Sequence, residues 1–390
     1  MKPNNSTSLL TDDRFHLGMP VRRGLTLTEI LAATFVLSFG LVAALAVLPF
    51  ATHLLSRMDI ADSSGACGRG GLQQIRMAEW QKPEALHDIW PGREDGAPDG
   101  VVPVDPYIVD PLGYLARGGT WSTFPLSNPT MAEALYSWTL EDIAGLSPPV
   151  DEVTANRHFR WNDDMVFTED AASSRPVLVS ITDPVKQSAG DYTWMYMVTP
   201  KVDVLDNAER SDRSDFAVTT ADKITGYEVA AVVFHRRDLY HDATAGAYQP
   251  IRRFELTNFH HGLNTSVDTI NETGAYITLR TTSENPDDIA LGSIKWILLT
   301  GRSQELHDSI KANPTAGPLS GTLVAQWYRI TGFDDIVPSS SGAGYERRVF
   351  LVGPDWKGAK DSNSSTSSRP LVYAILCDGV VNVFQTTMPK

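Results

Sequence analysis

The sequence predicts an α+β fold: a long N-terminal transmembrane α-helix followed by a large antiparallel β-rich head. Three observations predict it. No charged residue occurs from Ile30 to Ala51. Downstream, short runs of β-branched and aromatic residues recur between Gly, Pro, Asp and Asn turn signals, the pattern of a many-stranded sheet protein. The composition, 42% hydrophobic and 21% charged over 390 residues, is that of a globular chain with enough residues to bury a large core. The chain divides into a helix over 25–58, a neck over 59–83 and a head over 84–390.

The helix comes first. At 1.5 Å per residue, the uncharged run spans roughly 30 Å, the thickness of a bilayer's hydrocarbon core. Lys2, Arg14, Arg22 and Arg23 lie before it, and the next formal charge after it is Arg57. Basic residues stay on the cytoplasmic side, so Arg22 and Arg23 set the topology: N-terminus in the cytoplasm, head outside. A secretory signal cleaved near Ala44-Leu45-Ala46 fits less well, because apolar residues continue to Leu54 and Leu55. A lipoprotein signal at Cys67 lacks the apolar residue three places upstream.

The start of the run is more specific. Arg22-Arg23-Gly24-Leu25-Thr26-Leu27-Thr28-Glu29 places a carboxylate at the edge of an apolar span, where a charge is costly and calls for a functional reading with a named partner. The segment resembles the cleavage and methylation signal of type IV pilins and type II secretion pseudopilins. That pattern is a basic stretch, Gly, Phe-Thr-Leu-x-Glu and a hydrophobic helix, matched here at Gly24, Thr26, Leu27 and Glu29. Leu25 stands where Phe is usual, and the first helix proline, Pro49, falls later than in many pilins. The resemblance covers about the first 55 residues.

It implies a leader over 1–24, cut between Gly24 and Leu25 by a prepilin peptidase on the cytoplasmic face, with methylation of the new amine. Glu29 then becomes the fifth mature residue and pairs with the N-terminal amine of a neighbouring subunit. A buried charge is tolerated when an opposite charge satisfies it, and the pairing fixes axial register. The implied partners are that peptidase, other pilin or pseudopilin subunits, an inner-membrane assembly platform and the membrane itself. The implied location is the inner membrane, single-pass with a periplasmic head, and then a filament at the cell envelope.

The neck follows. Gly65, Gly68, Gly70 and Gly71 are expected to end the helix near Met58 and leave a flexible connection, with a short helix around Leu72–Trp80. From Glu84 to Pro111 the chain reads as an irregular excursion with one short strand at Tyr107–Val109. Strands are predicted at Val177–Ile181, Tyr192–Thr199, Tyr227–His235, Arg252–Leu256, Tyr276–Arg280, Ile294–Thr300, Thr322–Ile330 and Arg347–Val352. Alternating aromatics in Tyr192–Val198 predict a half-buried strand. Leu371–Cys377 and Val380–Thr386 flank Asp378-Gly379, the signature of a type I′ hairpin. Asn128-Pro129, Pro338–Gly344 and Ser362–Ser368 read as loops.

The remaining features bound the chemistry. The net charge of -14 and pI near 5.0 argue against a nucleic-acid partner. Loss of a leader carrying +2 leaves -16, and so acidic and bulky a head suits a minor or tip subunit. No His-Glu-x-x-His, Gly-x-Ser-x-Gly, phosphate loop or dinucleotide fingerprint occurs, so neither catalytic residues nor a cofactor are expected. His235, His260 and His261 read as surface or strand-end histidines, and His260 and His261, adjacent in a strand, would face opposite ways and could not chelate one ion together. Asn162-Asp163-Asp164 and Asp334-Asp335 lack calcium-loop spacing and read as solvated carboxylates. Trp161, Trp194, Trp296 and Trp327 read as core. Cys67 and Cys377 leave two alternatives open: one bridge from neck to C-terminal hairpin, or two unpaired thiols. The expected function is that of a structural filament subunit. The alternatives are a membrane-anchored binding or adhesin head and an anchored hydrolase.

Overall fold

The computed structural model describes residues 26–82, 86–87, 101–103, 105–116, 123–124, 135–140, 152–161, 167–169, 176–178, 191–202, 218–220, 224–239, 251–256, 259–260, 275–281, 285–292, 294–303, 323–339, 342, 344–358 and 372–390. The chain forms two compact units, divided between Met58 and Asp59. The leader, Asn128-Pro129, Asn162-Asp163-Asp164, His261 and Ser362–Ser368 lie outside the described residues.

Helix α1 runs from Leu27 to Ala78, 52 residues without a break. The expected flexible neck is therefore corrected: Gly65, Gly68, Gly70 and Gly71 are helical. Glycine costs a helix up to about 1 kcal/mol per residue through lost backbone entropy, and here packing in the second unit opposes that cost. Ser64, Gly65, Cys67, Gly68, Gly71 and Ile75 form a buried stripe along Asp59–Ala78. A methyl group at Gly68 would sit 2.1 Å from the Phe384 ring, and one at Gly71 would sit 3.0 Å from Trp194. The absent side chains are the space these rings occupy. The helix stops one turn later. Glu79 takes a left-handed φ of 55°, and the Trp80 amide donates to the Ile75 carbonyl at 3.0 Å. This is the Schellman closure, with the customary contact between Ile75 and Trp80, both buried in one cluster.

The second unit is built around two sheets. In chain order the principal strands are β1 (Tyr107–Val109), β2 (Leu135–Leu140), β3 (Tyr192–Val202), β4 (Ile224–His235), β5 (Ile251–Glu255), β6 (Ala275–Thr281), β7 (Trp296–Arg302), β8 (Leu323–Phe333), β9 (Tyr345–Val352), β10 (Val372–Cys377) and β11 (Val380–Pro389). The first sheet runs β2-β1-β3-β4-β11, with Leu86–His87 and Thr123–Phe124 added on β2. The second runs β5-β10-β7-β8-β9-β6, with Phe259–His260 on β6 and Val337–Pro338 on β9. Two further short pairs, Val101–Pro103 with Val218–Thr220 and Phe167–Glu169 with Pro176–Leu178, stand apart from both sheets. Pairing is antiparallel except between β1 and β2, which are parallel. Short helices α2 (Pro111–Ala116) and α3 (Glu152–Phe159) complete the unit.

Two strand expectations need correction. Tyr192–Val198 is buried throughout, not on one face. Trp194, Tyr196 and Val198 face a cluster holding Cys67, Ile75 and Phe159. Met195 and Met197 face the second sheet across Leu298, Ala325 and Trp327. A strand covered on both sides keeps its aromatic alternation, but that alternation then separates two cores rather than core from water. The C-terminal hairpin does not form either. β10 pairs with β5 and β7, while β11 pairs with β4. Of the turn residues only Gly379 has a positive φ, +80°, whereas a type I′ turn needs two. Asp378-Gly379 is a corner carrying the chain from one sheet to the other.

Candidate functional site

The segment read from sequence as a processing and assembly signal ends at the first turn of α1. Gly24, Leu25, Arg22 and Arg23 lie outside the described residues, so the geometry begins at Thr26. The Thr26 amide donates to Glu29 Oε2 at 2.9 Å, and the Thr26 hydroxyl donates to the same oxygen at 3.0 Å. In return the Glu29 amide donates to Thr26 Oγ1 at 3.4 Å. This reciprocal arrangement is a capping box: Thr26 caps the helix, and the third residue reaches back to the cap. The signal was legible in Thr-Leu-Thr-Glu ahead of an apolar run, and the sequence reading missed it. Glu29 thus has a local structural role, and its charge lies at the positive end of the helix dipole.

Beyond Glu29 the helix offers apolar side chains on every side. Phe35, Leu37 and Phe39 are each about 70% exposed. Removing such a side chain from water contributes roughly 1.5–3 kcal/mol, so this segment favours an apolar environment. Among the described residues, α1 is the one helix long and apolar enough to cross a membrane. It continues through Pro49, beyond which Thr52 Oγ1 donates to the Pro49 carbonyl at 3.0 Å.

In the second unit the candidate residues are scattered. Cys67 and Cys377 are buried free thiols. They belong to separate clusters on the two faces of the first sheet, so they do not form a bridge. Burial pushes both thiols up to about 12. His235 ends β4, its ring 5.0 Å from Tyr192 and its Nε2 4.0 Å from Asp191. His260 lies in a two-residue strand on β6. Trp194 and Trp327 are buried, and Trp161 and Trp296 pack against the core. No three His, Cys, Asp or Glu side chains among the described residues are placed to hold a metal ion.

Two ion pairs were not anticipated. Arg237 donates to both carboxylate oxygens of Asp110, through Nη1 to Oδ1 at 2.8 Å and through Nη2 to Oδ2. Both side chains are buried. Asp110 Oδ1 also accepts from the Gly113 amide at 3.1 Å, capping α2 ahead of Pro111 at its first position. Asp-Pro before a short helix was the available signal; no sequence pattern names Arg237 as its partner. Arg252 bridges the carbonyls of Asp287, Asp288 and Ala290 to the Asp378 carboxylate. It ties the sheet-to-sheet corner to β5, and burial raises the Asp378 carboxyl to about 6. These contacts hold the fold, and Arg237, Asp110 and Arg252 all act electrostatically on the Cys377 thiol, which burial nevertheless keeps protonated.

No family model, curated protein or solved structure matches the chain.

Proposed function

We propose that this chain is a structural subunit of the type IV pilin and pseudopilin kind, a minor pilin or pseudopilin of a type II secretion or type IV pilus filament. It is cut between Gly24 and Leu25 by prepilin peptidase and assembled through its N-terminal helix. The observation that carries the reading is the join of Gly24-Leu25-Thr26-Leu27-Thr28-Glu29 to an apolar helix exposed on all sides. A lone anchor needs only apolar length. A carboxylate five residues after a glycine that follows two arginines has a use in assembly, where a neighbour's amine satisfies it. The capping box holds the Glu29 carboxylate at the start of the described helix.

A membrane-anchored binding head is the second reading, favoured by the exposure of Phe333, Val337, Phe350 and Val352 on and beside β8 and β9 among the described residues. The deciding measurement is the N-terminal residue and mass of the protein isolated from native membranes. A chain beginning at N-methylated Leu25 is expected. One beginning at Met1 would make the helix a plain anchor, and one beginning near Val47 would make the protein secreted; either result overturns the proposal. Glu29→Ala should block filament incorporation while leaving membrane insertion intact.

A further inference from the structure

The first sheet ends on β11, whose ten residues Val380–Pro389 include no charge. Among the described residues β11 pairs with β4 alone, so its outer edge is open. An open edge is a template for another strand, and folded proteins blunt such edges by shortness or by charge. The other described edges follow that rule. Leu86–His87, Thr123–Phe124 and Phe259–His260 have two residues each, and β5 carries Arg252, Arg253 and Glu255. β11 is neither short nor charged.

The β4–β11 ladder fixes which backbone groups the edge presents. The His235 amide donates to the Gly379 carbonyl on the β11 side, and the Arg236 amide donates to the Asp191 carbonyl on the β3 side, both at 2.7 Å. Odd-numbered residues of β4 therefore direct their backbone groups to β11. Tyr227, Val229, Ala231 and Val233 lie opposite Met388, Thr386, Phe384 and Asn382, whose backbone groups point inward. Between these, Val383, Gln385 and Thr387 turn their amides and carbonyls outward. Two details agree. The Val383 amide donates to Oδ1 of its neighbour Asn382 at 3.0 Å, a local substitute for a strand partner. Pro389, which has no amide hydrogen, falls in the outward set, where it removes no bond to β4. Gln385 and Thr387 are exposed, so the edge is reachable.

This edge is complementary to itself. Two antiparallel copies related by a two-fold axis at Gln385 set Val383 of each against Thr387 of the other, so outward donors meet outward acceptors. The two Gln385 side-chain amides meet at the axis, each offering both a donor and an acceptor. Charge favours the same occupant. With a net charge of -14, two copies repel across most approaches. A charge-free strand lets them meet with no carboxylate facing another.

We propose that two copies of this chain pair edge to edge through β11, antiparallel about a two-fold axis at Gln385. The pairing does not depend on how the N-terminal helix is processed. The test is sedimentation equilibrium of the full-length protein in detergent, where a dimer that dissociates on dilution is expected. Gln385→Lys sets two like charges at the axis and should raise the dissociation constant at least about tenfold, with an unchanged unfolding midpoint. Gln385→Thr should leave it within about twofold. Mild oxidation supplies a second measurement, since the native Cys67 and Cys377 are buried. Two Gln385→Cys copies hold their Cα atoms about 5.5 Å apart, within disulfide reach, and should cross-link. Two Thr387→Cys copies, offset by four residues, lie roughly 14 Å apart and should not. A protein that is monomeric at every concentration refutes the pairing. So does a dimer indifferent to Gln385→Lys, or cross-linking as efficient at Thr387→Cys as at Gln385→Cys.

Discussion

Gly68 offers a severe test of the packing between α1 and the first sheet. On an exposed helix Gly→Ala stabilises by up to about 1 kcal/mol, because alanine loses less backbone entropy. At Gly68 the added methyl carbon would lie 2.1 Å and 2.2 Å from two carbons of the Phe384 ring, far inside contact distance. Ring atoms do not yield independently, so either the side chain changes rotamer or the helix lifts. Overpacking of this kind costs roughly 1–3 kcal/mol. With a clash this deep the upper end applies, and the propensity gain leaves a net loss of about 2 kcal/mol. Gly65 is the internal control. A methyl there meets only the flexible Arg69 guanidinium at 3.5 Å, so Gly65→Ala should stabilise by up to about 1 kcal/mol. Equilibrium denaturation of the full-length protein in detergent, followed by near-ultraviolet circular dichroism, measures both. Adding Phe384→Ala to Gly68→Ala should recover most of the clash as a coupling energy. If Gly68→Ala stabilises as Gly65→Ala does, or if the coupling is nil, the glycines are not there to admit the rings.

Two further outcomes follow from the buried polar and thiol groups. Asp110→Ala leaves the Arg237 guanidinium buried without its carboxylate and removes the α2 cap, so a loss of about 3–5 kcal/mol is expected in the same denaturation assay; a loss below about 1 kcal/mol would mean that water reaches the pair. Cys67 and Cys377, each raised to about 12 by burial, should stay protonated and unreactive toward iodoacetamide at pH 8 in the native protein. Both should label once it is denatured, and a native adduct counted by mass spectrometry would contradict the burial.

The local signals served well wherever a segment's neighbours are of one kind. Tyr107–Val109 is a strand with the bounds read from sequence, and Ile251–Glu255, Ala275–Thr281 and Val372–Cys377 fall within a residue or so of theirs. β-branched and aromatic side chains fit a pleated surface whatever sheet supplies it. The apolar run from Ile30 to Ala51 needed no tertiary knowledge either, since its charge-free length is itself the physical quantity.

What the sequence alone determined, then, is the run of elements: an apolar helix across Ile30 to Ala51, then many strands. The tertiary structure decided where the helix ends, because the local entropy penalty of Gly68 and Gly71 is opposed by contacts with Phe384 and Trp194, more than a hundred residues away. It decided that Asp378-Gly379 is a corner, because β10 finds its partners in β5 and β7 and β11 in β4, so that Ile375 and Val383 enter one core from two sheets. It also decided that β3 lies between two cores, and that Arg237 answers Asp110 across 127 positions of chain. Propensity acts over a few residues; burial and charge pairing act over whatever the fold brings together.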